Sequence, residues 1–140
     1  MSREIKFRAW LKEEKKMVNV ETIDFSEKSI QYLEKNEIID AYLLRTTFLE
    51  DVELMQYTGL DDKNGIEIYE GDILKYNFPY DGRLKHVSPV KFLETEASFG
   101  LKDIYENEIP LYRIAANNYF EVIGNIYENE ELLKSEEKND

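Results

Sequence analysis

Turn signals break this chain at intervals too short for long helices. The strongest is Asp61-Asp62-Lys63-Asn64-Gly65, where Asn-Gly supplies residues that tolerate the positive φ of a tight hairpin. Gly59, Gly65 and Gly71 recur every six residues, and Pro79-Tyr80-Asp81-Gly82 adds a further turn. Chain cut this finely folds most readily into short strands joined by hairpins.

The segments between the turns agree. Ile5, Phe7, Ala9 and Leu11 alternate with Glu4, Lys6, Arg8 and Trp10, the period of a half-buried strand. Residues 12–16 form a polar turn, residues 18–25 a strand, 26–28 a turn and 29–33 a strand, so 3–33 reads as a three-strand meander. Residues 36–45 fit a loose helical stripe and are expected as a short helix. Strands are expected at 54–57, 66–69, 73–78, 85–93 (with Pro89 marking an edge or a bulge), 97–101 and 119–123. A short helix is expected at 129–134, capped by Asn129. The predicted fold class is therefore α+β and β-rich: an N-terminal meander, then a curled antiparallel sheet or a small SH3-like barrel, then a short C-terminal helix. Residues 1–134 are expected as one domain, divisible into 1–58 and 59–134, with 135–140 as a charged tail.

Composition narrows the chemistry. The 140 residues include no cysteine and one histidine, which excludes a disulfide framework, a thiol nucleophile and a multi-histidine zinc site. Aromatics at 13% point to a folded chain rather than a disordered one. The net charge of −12 argues against general affinity for nucleic acid or anionic membrane. Residues 1–60 carry 9 basic and 12 acidic side chains; residues 61–140 carry 9 and 18, so most of the excess lies in the second half. The opening strand is locally basic, and if the fold keeps the halves apart they present oppositely biased faces suited to head-to-tail association. No charged-then-apolar leader and no apolar run near ~18 residues occurs, so a cytoplasmic, membrane-free protein is expected.

Candidate sites are few. Asp61, Asp62, Glu67, Glu70 and Asp72 are the densest carboxylates, but the calcium-loop pattern fails, since Glu67 stands where glycine is required. The plainer reading is that the aspartates shape turns. His86 lies on an expected strand with no nucleophile beside it. Lys6, Arg8 and Trp10 make a basic, aromatic face that could stack bases, with Arg83 as an adjunct; the plainer reading is Trp10 at the rim of a core. Ten tyrosines offer apolar area with a polar tip, and at least one surface group of them is expected to meet a partner.

Three blocks are more specific than composition. Arg3-Glu4-Ile5-Lys6-Phe7-Arg8-Ala9-Trp10 followed by Lys16-Met17 opens the chain. Leu54-Met55-Gln56-Tyr57-Thr58-Gly59-Leu60, Asp62-Lys63-Asn64-Gly65 and Glu67-Ile68-Tyr69-Glu70-Gly71-Asp72-Ile73 occupy the middle, and Glu121-Val122-Ile123-Gly124-Asn125-Ile126-Tyr127-Glu128-Asn129 ends it. Together they resemble the YopX family of phage and prophage proteins across nearly the whole chain. The resemblance implies a phage- or prophage-encoded protein in a Gram-positive host. It brings no established activity, cofactor or catalytic residue. The motif residues Gln56, Tyr57, Thr58, Gly59, Asp62, Tyr69, Gly71 and Asp72 are left as a turn-shaping set or a small site, with Asp72 placed to accept backbone N–H bonds.

The expectation is a non-enzymatic accessory protein that binds a host or phage protein or forms a homo-oligomer, with no cofactor and no metal. Two rivals stand beside it. One is nucleic-acid contact through Lys6, Arg8, Trp10 and Arg83, or mimicry of nucleic acid by the acidic half. The other is a metal-assisted hydrolase using Asp62, Glu70 and Asp72.

Overall fold

The computed structural model describes residues 3–76 and 87–138, leaving out the side chains of 135–138. The turn expected at 79–82, Arg83 and His86 lie outside the described residues. The chain divides into two compact units, Glu4–Gln56 and Tyr57–Asp140, the second also taking in Met1–Arg3.

The first unit is an antiparallel meander. Strands β1 (Phe7–Leu11), β2 (Lys16–Asp24), β3 (Ser29–Asn36) and β4 (Ala41–Phe48) follow one another, then a short 3-10 turn at Leu49–Asp51. The chain returns as β5 (Val52–Asp61), whose first half pairs with β1, giving the order β4-β3-β2-β1-β5. Alternation sets the faces: Ala9 lies opposite Val18 and Leu54, and Ala9, Leu11, Ile30, Tyr32 and Val52 are buried together on one side of the sheet. Arg8 and Trp10 point to the other side, with Asn19, Met17 and Met55.

The expected helix at 36–45 is instead a hairpin. Residues 37–40 turn and β4 follows, paired with β3 from Asn36↔Ala41 to Ser29↔Phe48 without a bulge. Asn36 Oδ1 accepts the N–H groups of Ile38 (2.9 Å) and Ile39 (3.2 Å), and Asp40 takes a left-handed φ of 49°. The preceding hairpin is built alike: Asp24 Oδ1 accepts from Ser26 and Glu27 at 3.0 Å, and Lys28 has φ 54°. Lys15, Lys28, Asp40 and Ala97 each adopt positive φ immediately before a strand. A non-glycine residue there closes the loop after a type I turn.

An ion cluster lies on the core-side face at the β2–β3–β4 end. Lys16 Nζ donates to Glu34 Oε2 at 2.6 Å, and Arg45 Nε lies 3.3 Å from Glu34 Oε1. The hydrogen bond to Glu34 holds Lys16 above the usual lysine range, and the hydrogen bond from Lys16 holds Glu34 below the usual carboxylate range. Glu34 therefore adds stability above the ordinary carboxylate pKa, lost as pH falls through its depressed value. Lys16 adds stability below the ordinary lysine pKa, lost as pH rises through its raised value. Lys16→Met is expected to lower the melting temperature at neutral pH and to converge with wild type in acid, as thermal melts across pH will read. The effect is small because both groups are solvated; an equal deficit at all pH values would contradict it.

The second unit holds three groups of strands. The second half of β5 pairs with β6 (Glu67–Tyr69). Strands β7 (Asp72–Tyr76), β8 (Val87–Pro89) and the later β12 (Phe120–Asn125) form a sheet ordered β12-β7-β8, placing Pro89 on an edge strand as expected. Strands β9 (Lys91–Leu93), β10 (Ser98–Lys102) and β11 (Glu108–Pro110) form another, ordered β11-β10-β9. The expected 85–93 strand is split at Val90, whose N–H and C=O bond Asp72 O and the Gly71 N–H (2.8 and 2.9 Å). Among the described residues these sheets are open; they do not close into a barrel. Helix α1 (Arg113–Tyr119), which the sequence pattern did not indicate, precedes β12, and α2 (Glu131–Lys138) follows it. Ile68, Leu74, Tyr76, Val90, Leu101, Ala116 and Phe120 form the core of this unit.

Candidate functional site

The motif aspartates are buried, and their oxygens face backbone. Asp62 is 3% exposed. Its Oδ1 accepts the N–H of Asn64 (2.8 Å) and of Ile66 (2.9 Å), closing the hairpin loop, and its Oδ2 accepts the N–H of Val122 (2.9 Å) on β12. The Lys63 N–H donates to Phe120 O at 2.9 Å, so the loop is stitched to β12 twice. Gly65 sits in this loop at φ 80°, as the Asn-Gly signal requires.

Thr58, Gly59 and Leu60 form a bulge between the pairs Tyr57↔Tyr69 and Asp61↔Glu67. Gly59 has φ 87° there, open to glycine at little strain. Thr58 Oγ1 donates to Ile68 O (2.7 Å) and accepts the Leu60 N–H (3.2 Å), filling gaps the bulge leaves in the ladder. Tyr57 and Tyr69 are buried with ring centroids 5.6 Å apart, and the Tyr57 hydroxyl donates to Asp61 Oδ1 at 2.7 Å. Asp72, 2% exposed, accepts the Tyr69 N–H on Oδ2 at 2.8 Å, which pins the Glu70-Gly71 turn. Gln56 belongs to the first unit, opposite Phe7. The motif thus shapes turns and a bulge. Among the described residues no group of three or more His, Asp or Glu could hold a metal ion, so the convergence that the hydrolase reading requires is not found there.

The sequence reading missed a twin of the Asp62 loop. Asp103, 4% exposed, accepts the N–H of Tyr105 (2.8 Å) and Asn107 (2.9 Å) on Oδ1. In both loops the aspartate N–H bonds the carbonyl four residues on, and the N–H three residues on bonds the aspartate carbonyl. The shared signal is an aspartate directly after a strand, bonding residues two and four ahead.

Three lysines of the basic N-terminal segment lie beside carboxylates. Lys6 lies 3.1 Å from Glu4, Lys12 3.6 Å from Glu53 and Lys16 2.6 Å from Glu34. Lys6, Arg8 and Trp10 are each half-buried.

The described tyrosines differ in burial, with Tyr119 and Tyr127 intermediate. Tyr32, Tyr57, Tyr69 and Tyr76 are in the cores, whereas Tyr42, Tyr105 and Tyr112 are exposed. Tyr112 stands at the mouth of a cleft of about 850 Å³ in the second unit. Leu101, Ile109, Leu111, Ala115, Tyr119 and Phe120 line it. Ile114 (76% exposed) joins Tyr112 at its rim, and Arg113 and Glu108 supply charge.

The family model described as YopX protein matches residues 6–134. The chain belongs to the YopX family. This YopX-family chain is also similar to the crystal structure of protein EF1440 from Enterococcus faecalis. That likeness has 30% identity and a TM-score of 0.64, and covers 94% of this chain and 99% of the other. Comparison with curated proteins finds no match. Among the described residues, no helix of this YopX-family chain is long and apolar enough to cross a membrane.

Proposed function

We propose that this YopX-family chain is a phage- or prophage-encoded accessory protein of the bacterial cytoplasm, working by binding another protein rather than by chemistry of its own. The observation that carries the reading is the apolar cleft beneath α1, with Tyr112 and Ile114 exposed at its rim. A concave, mostly apolar site with a few polar groups at its edge suits an apolar segment of a partner. Residues 57–140 carry 9 basic against 18 acidic side chains, so the segment that fits has basic flanks. The motif carboxylates, engaged by backbone N–H groups, support a binding role over a catalytic one.

Photo-crosslinking in bacterial cells tests this. A p-benzoylphenylalanine at position 112 is expected to give a discrete adduct with another protein, identified by mass spectrometry. Adding Ile114→Asp, which places a charge on the apolar rim without touching the core, is expected to reduce that adduct at least tenfold. No protein adduct, or an adduct indifferent to Ile114→Asp, overturns the reading.

A further inference from the structure

The two aspartate loops belong to a longer internal likeness. Aligned at Asp62 and Asp103, Gly59-Leu60-Asp61-Asp62 falls on Gly100-Leu101-Lys102-Asp103, and Glu67-Ile68 falls on Glu108-Ile109. The register agrees, since Asp61↔Glu67 and Lys102↔Glu108 close loops of equal length. So do the loop bonds. Asp62 N–H to Ile66 O is 2.8 Å and Asp103 N–H to Asn107 O is 2.9 Å, while Gly65 N–H to Asp62 O and Glu106 N–H to Asp103 O are both 3.0 Å. Gly65 and Glu106, at the same loop position, have φ of 80° and 65°.

The first hairpin has an occupant. Strand β12 lies along it as an extended segment. Phe120 O accepts the Lys63 N–H (2.9 Å), and two residues on the Val122 N–H donates to Asp62 Oδ2 (2.9 Å). Phe120 packs with Ile68 in the core, and Leu60 and Val122 pack against them. On the second hairpin the residues corresponding to Leu60, Asp62 and Ile68 are Leu101, Asp103 and Ile109, and all three line the cleft. The N–H corresponding to that of Lys63 belongs to Ile104, which is 48% exposed, and it has no backbone partner among the described residues.

We propose, resting on the cleft as the partner site, that the partner's segment enters as an extended strand and is held at the Asp103 loop as β12 is held at the Asp62 loop. Main-chain bonds then give affinity and alternate side chains give specificity. The segment carries an aromatic residue in the place of Phe120, whose carbonyl accepts the Ile104 N–H. Two residues on it carries an apolar residue in the place of Val122, whose N–H donates to the Asp103 carboxylate. Asp103 already accepts Tyr105 and Asn107 N–H groups on Oδ1, and Asn107 Nδ2 lies 3.4 Å from Oδ2. An ionised carboxylate has about four acceptor sites, so it takes a further bond without releasing these. The loops differ at one telling position. Lys63 lies 3.7 Å from Glu121 of β12, whereas its counterpart is the apolar Ile104. The middle residue of the partner's segment is therefore apolar rather than acidic.

The probe is the end-blocked peptide Lys-Tyr-Phe-Leu-Val-Ile-Lys. It follows residues 119–123 with leucine in the place of Glu121, and its terminal lysines complement the acidic unit. With the full chain it is expected to bind with Kd below about 1 mM, and to slow hydrogen exchange of the Ile104 amide at least tenfold. Ile104→Pro removes that N–H. Neither Ile104 nor Tyr105 has positive φ in the turn closed by Glu106 N–H and Asp103 O, so Ile104 stands where a β-turn favours proline. The variant is expected to keep the wild-type urea midpoint and to bind the peptide at least tenfold more weakly. Ile104→Ala, which keeps the N–H, is expected to lose less than threefold. Methylating the valine nitrogen of the peptide is expected to cost at least tenfold with the wild-type chain, and decides the matter if the proline variant does not fold. The arrangement is overturned by no binding at the stated concentration, by an Ile104 amide that the peptide leaves unchanged, by equal binding to Ile104→Pro and Ile104→Ala, or by indifference to the methyl group. The adduct from position 112 in cells separates the two readings. If Ile114→Asp abolishes it and Ile104→Pro leaves it unchanged, the cleft stands as a partner site and the strand held at Asp103 falls.

Discussion

Asp62→Ala is expected to destabilise the second unit by about 3–5 kcal/mol, the largest effect of any single side-chain truncation in the motif. The carboxylate is buried and accepts three backbone N–H groups, from Asn64, Ile66 and Val122. Truncation leaves three donors without their acceptor, each at about 1–3 kcal/mol if water does not reach it. The loop donors regain some solvation, which holds the sum below three full penalties. Asp62→Asn keeps the Oδ1 acceptor but turns an NH₂ toward the Val122 N–H or the loop, and is expected to cost about 1–3 kcal/mol. Asp103→Ala removes two backbone bonds within one loop and falls between them. Trp10 belongs to the first unit, so tryptophan fluorescence is the wrong reporter. Hydrogen exchange at the Asn64, Ile66 and Val122 amides, with urea unfolding by circular dichroism, measures it. Unchanged protection of all three amides in Asp62→Ala would show that the carboxylate does not organise the loop and would return it to the functional candidates.

This carboxylate also marks how far the sequence reaches. Asp61-Asp62 could be read as a turn, and Asn64-Gly65 located the hairpin. Which aspartate points inward depends on β12, sixty residues away, and no local pattern encodes that. The meander at 3–33 was legible because its apolar positions alternate and its first two turns are polar. The next turn, Glu37-Ile38-Ile39-Asp40, contains neither glycine nor proline, and two exposed isoleucines imitate a helical stripe. Asn36, whose Oδ1 accepts the Ile38 and Ile39 N–H groups, was the overlooked signal. Helix α1 was illegible for a related reason. Tyr112 precedes it with no side-chain capping bond, and seven residues give little room for periodicity. Its position follows from Ala116 packing into the core, a tertiary fact. The cleft rests in part on α1 and on β11, two elements the sequence pattern did not give, so it could not have been anticipated.

Gly100→Ala is expected to destabilise the second unit by about 2–4 kcal/mol and to deform the cleft wall. Gly100 is the centre of β10, buried between β9 and β11, opposite Lys91 on one side and Pro110 on the other. A Cβ placed there would press into the carbonyl oxygen of Ile109 and the Cδ1 of Leu93. Leu93 can change rotamer, but the Ile109 carbonyl is backbone and yields only if β11 moves away, which disrupts the β10–β11 ladder. Overpacking of this kind costs about 1–3 kcal/mol, and lost strand pairing adds to it. Gly124→Ala is the informative contrast. The atoms in its way belong to the side chain of Asn129, 2.5–2.8 Å from the new Cβ, and that side chain can swing aside by giving up its bond to the Asn125 N–H. About 1 kcal/mol is expected there, the worth of one hydrogen bond. Urea midpoints of the two variants separate a backbone obstruction from a side-chain one; equal midpoints would show that β11 gives way freely. Because Leu101 and Ile109 line the cleft from these two strands, displacement of β11 in Gly100→Ala is also expected to weaken the adduct formed from position 112, whereas Gly124→Ala leaves it unchanged.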